Sequence, residues 1–203
     1  MKPAIIALAM LAGLGPAARA APRDADVDWP CQQIKVGELS VASFWNGPPI
    51  GGSADWQKDE AVASVVGAVT QRRLPMDAAV QRIDAFARTV AEDKDRTLGL
   101  VFAGVFDVLN RERSTVLSGL DRFGHRQKEL ADGIRQEGAE LRAAQTATPP
   151  DQAKIADLTQ RLGWDQQFFE TRRQSLSFAC DLPTVIEQRL YGLAQAIQGH
   201  LTE

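Results

Sequence analysis

The sequence predicts an all-α protein: a small helical body, an irregular N-terminal strap, and a long antiparallel, coiled-coil-like helical hairpin. Three observations point there. Beyond residue 60, β-branched runs bounded by turn signals are rare, and Ala, Leu, Gln, Arg and Glu dominate. No proline interrupts the chain from Lys94 to Ala147. On both sides of "TATPPD" (residues 146–151), apolar residues recur at steps near three and four with polar residues between them, the mark of a helix with one narrow partner.

The chain opens "MKPAIIALAMLAGLGPAARA". Lys2 gives a positive start, Ile5 to Leu14 an apolar stretch, and Ala18-Arg19-Ala20 the small residues a signal peptidase reads. The apolar stretch falls short of the roughly 20 residues a spanning helix needs, and no cysteine stands at the cleavage point to take a lipid. Residues 1–20 therefore read as a signal peptide. The mature chain is expected from Ala21 and its destination is the bacterial periplasm, with secretion beyond it as the alternative.

Export makes sense of the two cysteines. In an oxidising compartment Cys31 and Cys180 read as a disulfide, and closing so long a loop removes unfolded-state entropy worth at most about 5 kcal/mol. Neither cysteine has the Cys-x-x-Cys spacing of a redox pair. Removing Lys2 and Arg19 leaves 21 basic residues against 26 acidic, a formal charge of −5 with the signs interspersed. No basic stripe for nucleic acid stands out, nor does a Lys-rich amphipathic helix for a membrane surface.

Residues 21–57 form the expected strap. Pro22, Pro30, Pro48 and Pro49, with Gly37, Gly47, Gly51 and Gly52, break any long helix, and "KVGELSVASFW" has room for one brief helix or strand. Trp29, Trp45 and Trp56 are the candidate anchors that dock it on a helical body. Residues 58–203 form the helical domain. A first helix spans "DWQKDEAVASVVGAVTQRRL", with Ala61, Val65, Ala68 and Val69 on its inner face. Pro75 opens a second at its first turn, whose stripe is Met76, Val80, Ile83 and Ala87.

From Lys94 the chain is apolar nearly all round as far as Leu109, the expected buried spine. It then thins to a seam of Leu117, Leu120, Phe123, Leu130, Ile134 and Leu141. The turn near 147–151 starts a returning seam of Ile155, Leu158, Leu162, Phe169 and Leu176, which sets the hairpin arm at about 117–180. Folding about residue 149 puts Leu141 opposite Leu158 and Phe123 near Leu176. Asp165 and Arg172 fall at seam spacings; two arrangements suit them, rotation outward with Phe168 turning in, or a polar layer with Gln127. Pro183 is expected to end the return helix, with a terminal core helix after it.

Catalytic signatures are scarce. His125 and His200 have no ligand partner at i+3 or i+4, no Gly-x-Ser-x-Gly elbow occurs, and "GPPIGG" lacks the lysine of a phosphate loop. No catalytic residue, metal site or cofactor is assigned. The most suggestive polar cluster is Asp107, Asn110 and Arg111, facing Glu187, Arg189 and Tyr191 across a helix interface; the plainer reading is an Asp107–Arg111 i,i+4 pair with Glu112 and Arg113 solvated.

The reading that follows is a non-enzymatic exported protein whose projecting hairpin binds another envelope protein, as an accessory, assembly or chaperone-like factor. The alternative is a small-ligand or anion-binding protein, or an enzyme, using the Asp/Arg/Glu cluster beneath the aromatic strap. Self-association into a homodimer is a third reading.

Overall fold

A computed structural model describes residues 28–50 and 55–202. The signal-peptide reading for residues 1–20, the strap residues before Asp28 and the Gly51–Ala54 stretch lie outside the described residues. Within the strap, "KVGELSVASFW" yields only a 3₁₀ turn at Val41–Ser43. Four helices follow: α1 (Glu60–Val69), α2 (Met76–Thr89), α3 (Lys94–Thr146) and α4 (Gln152–Gln198).

Asp59 starts α1, its carboxylate accepting the Val62 amide at 3.1 Å. Residues 55–58, expected inside this helix, form a separate 3₁₀ turn that buries Trp56. The inner face also differs from expectation. It is Val62, Val65, Val66 and Val69, with Ala61 exposed, because valines bring more apolar area than alanines and set how the helix rotates. Pro75 precedes α2, which buries Ala79, Ile83 and Ala87.

α3 is buried almost without interruption from Leu98 to Val105 and again at Leu109; α1 packs on it, and α2 packs on α4. Trp45 stacks on Phe102 with ring centroids 4.4 Å apart, and Phe44 meets Phe106 edge-on at 6.3 Å. The strap's aromatic residues thus complete the body's core. Gly104 lets α3 approach closely: a methyl there would stand 2.7 Å from Val66 and 2.8 Å from Trp56.

The body ends where Arg72 pairs with Glu112 at 2.7 Å. From there α3 runs on to Thr146, about 50 Å at 1.5 Å per residue, and Asp151 starts the return by accepting the Lys154 amide at 3.0 Å. α4 then packs along α3 all the way back. Two seam contacts lie within one turn of the expected register: Gln127 donates to the Phe169 carbonyl at 3.0 Å, and Arg172 stacks 4.7 Å from the Phe123 ring centre. Asp165 and Arg172 stay half-buried while Phe168 remains 54% exposed, so neither arrangement expected of them forms. The guanidinium finds an aromatic face instead of water.

Pro183 does not end the helix. α4 continues through it with Pro183 itself buried. A proline ring crowds the preceding turn and gives no N–H to the carbonyl four residues back. In that turn the strap's Gln33 side chain donates to the Cys180 carbonyl, and packing at Cys180, Ile186 and Leu190 holds both halves in line.

Gly104→Ala should lower stability by about 1–3 kcal/mol through overpacking, despite alanine's helix propensity. Gly133→Ala, whose added methyl meets nothing within 4 Å, should raise it by up to about 1 kcal/mol. Urea unfolding of the oxidised protein measures both, and equal effects would contradict the packing at Gly104.

Candidate functional site

The strap runs along one side of the hairpin and is fixed at several levels, Lys35 pairing with Asp121 of α3 at 2.7 Å among them. Nearest the body, Asn46 N–H donates to Gln198 at 2.7 Å. One level out, Arg113 of α3 is 2% exposed, pairs with Glu187 of α4 at 2.5 Å and donates to the strap carbonyls of Val36 (2.7 Å) and Gly37 (3.3 Å). A single guanidinium thus joins three segments. Cys31 and Cys180 are bonded with Cα atoms 5.6 Å apart, an ordinary disulfide separation. Farthest out, Asp28 meets His125 Nδ1 and Lys128 Nζ, each at 3.0 Å. Its backbone carbonyl sits in a notch that exists because residue 124 is glycine, where any Cβ would overlap it.

Trp45 (7% exposed) and Trp56 (8%) are core residues. Trp29 differs from the anchoring role expected of it: half-buried, it donates its indole N–H to the Gln33 carbonyl at 2.7 Å and lies under Lys35, so it braces the strap against itself.

The six residues of the polar cluster do not converge. Arg111 is exposed and pairs with Asp107 one turn away at 2.6 Å. Asn110 keeps its side-chain oxygen buried without a partner. Glu187 turns to Arg113, not Arg111. Arg189, two positions on and so near the opposite side of α4, donates to the carbonyls of Val69 (2.6 Å) and Leu74 (3.0 Å). Tyr191 is 54% exposed. Arg113, read from the sequence as solvated, is instead the buried hub. Its partners lie 74 to 77 residues away in the chain, and no local pattern announces them.

Shallow clefts flank the strap, one of about 300 Å³ between Trp29, Pro30, Gln127 and Phe169. Among the described residues no group of three or more His, Cys, Asp or Glu side chains could hold a metal ion, and no helix is long and apolar enough to cross a membrane. The arm instead presents apolar surface: Trp164 is 65% exposed, Phe168 54% and Phe178 79%. Large contiguous apolar patches mark interaction sites, ligand grooves or aggregation-prone faces. Comparison with protein-family models, curated proteins and solved structures finds no match for the chain.

Two outcomes test the clamp. Arg113→Ala strands Glu187 and two strap carbonyls; it should cost roughly 2–4 kcal/mol, less than a fully enclosed pair because Glu187 keeps some water. Limited proteolysis should then cut faster within residues 34–39. Loss of stability without loss of strap protection would contradict the three-way role.

The second concerns pH. The hydrogen bond to Asp28, with Glu129 nearby, raises the His125 pKa above its ordinary value; the bonds from His125 and Lys128 lower that of Asp28. A raised histidine pKa stabilises below the unfolded value and is lost as pH climbs through the folded one. A lowered carboxylate pKa stabilises above its unfolded value and is lost in acid. The outer clasp is therefore strongest between about pH 4 and 6.5. Stability of the oxidised protein in urea should fall more from pH 6 to pH 8 in the wild type than in His125→Gln.

Proposed function

We propose that the chain is a non-enzymatic exported protein, periplasmic in a bacterium, that binds another envelope protein through its projecting hairpin as an accessory, assembly or chaperone-like factor. The observation that carries this reading is the arm itself. It extends about 50 Å past the Arg72–Glu112 pair, farther than the core requires, and bears exposed aromatic side chains on α4. The disulfide supports export, because such bonds persist in oxidising compartments, as does the short apolar leader ending in Ala-Arg-Ala.

Replacing residues 127–172 by a short turn tests the reading. The remaining chain should stay helical and keep its Cys31–Cys180 bond, because the body core and both cysteines lie outside the deletion. Partner protein that co-purifies with the intact mature chain from its native envelope should be lost. Capture that survives the deletion sinks the proposal.

A further inference from the structure

α4 carries a second stripe that the described residues leave mostly exposed, with Leu182 half-buried at one end. Trp164, Phe168, Thr171, Ser175, Phe178 and Leu182 follow one another at alternating steps of four and three, the spacing that keeps residues on one helix face. The stripe lies across α4 from the strap, toward which Cys180 and Glu187 turn. Closer to the body the same face is occupied: Arg189 reaches the α1–α2 connection, and Gly192 lies against Met76.

We propose that a second copy of this chain covers the stripe in an antiparallel two-fold dimer centred at the level of residue 173. The stripe complements itself about that point. Phe168 of one copy faces Phe178 of the other, Thr171 faces Ser175, and Trp164 faces Leu182. Such self-complementarity is what an isologous interface demands. A parallel pairing would bring both bodies to the same level, where α1 and α2 already fill this face. At the centre Thr171 and Ser175 form a small i,i+4 pair that allows close approach, and rows of that spacing cross near −50°, so the contact centres on Phe168, Thr171, Ser175 and Phe178 with Trp164 and Leu182 at its edges, and each arm is carried clear of the opposite body.

Burial at the centre strands no polar group, and Trp164, at the edge, keeps its indole N–H toward solvent. The Thr171 hydroxyl already donates to the Gln167 carbonyl at 2.9 Å and the Ser175 hydroxyl to the Thr171 carbonyl at 3.1 Å. None of the six positions is charged, as interface centres favour. Arg172 stays at the rim, over the Phe123 and Phe168 rings.

The area suits a weak, reversible contact. An aromatic side chain buries 150–250 Å² when fully covered, so three rings per copy, all more than half exposed, supply roughly 600–900 Å². The surrounding residues bring the total to about 1,200 Å², the lower edge of specific interfaces. The dimer is accordingly weak and reversible, with a micromolar dissociation constant.

Sedimentation equilibrium of the mature oxidised protein from about 1 to 300 µM should show a monomer–dimer equilibrium. Phe168→Glu and Phe178→Lys should each weaken it by about tenfold or more, with far-UV circular dichroism unchanged because both side chains face solvent. Mixing the two variants should restore dimers, since only this register brings the introduced carboxylate of one against the introduced ammonium of the other. A wild-type chain monomeric throughout, a dimer indifferent to both substitutions, or no recovery on mixing would each overturn the proposal. The first of these assigns the stripe to a different partner. The readout needs no other protein, so it stands or falls separately from capture by the arm.

Discussion

Everything in this molecule hangs on the seam between α3 and α4. Near the body, α3 is apolar on almost every side, and α1, α2 and the strap complete a core around it. Past the Arg72–Glu112 pair, each long helix has its neighbour and, on one side, the strap. A single helix of that length with so thin an apolar stripe is marginal in water; two of them, joined by a short turn and packed along their length, bury enough to persist. The seam is not wholly apolar. Gln127 spends its amide on a backbone carbonyl, and Arg172 lies on an aromatic ring. Those polar residues fix register at little cost, because each finds a partner inside the seam.

The strap turns this two-helix arm into a partly three-layered one. Its attachments differ in kind: a covalent bond at Cys180, a buried guanidinium at Arg113, and a titratable clasp at His125. The first constrains the unfolded chain most, since it closes a loop of 149 residues in sequence separation. The second cannot be removed without leaving polar groups stranded. The third is exposed and responds to pH. The conditional attachment is the outermost of the three, beyond both the buried guanidinium and the covalent bond.

Much of this was legible in the chain. The hairpin announced itself through a proline-free run of more than fifty residues, a thinning stripe and the Pro149-Pro150 interruption. The disulfide followed from having two cysteines and an export-like leader. What stayed hidden depends on distant partners. Arg113 looks like any helix-surface cation beside Glu112 until Glu187 and the strap carbonyls arrive. Gly124 and Gly104 resemble ordinary helix breakers, yet their lack of a side chain admits the Asp28 carbonyl in one case and Trp56 in the other. At Pro183 the local rule for ending a helix lost to packing on both sides. The polar cluster failed for a geometric reason, since Glu187 and Arg189 share a short stretch of sequence but point to opposite sides of α4.

The central claim is an elongated particle, and small-angle X-ray scattering tests it most directly. For the oxidised mature protein, diluted enough to be monomeric, a helix of α3's length predicts a maximum dimension of about 80 Å or more. The radius of gyration should then lie well above the roughly 16 Å expected of a compact chain this long. A scattering curve that fits a compact globule near that lower radius would contradict the projecting arm.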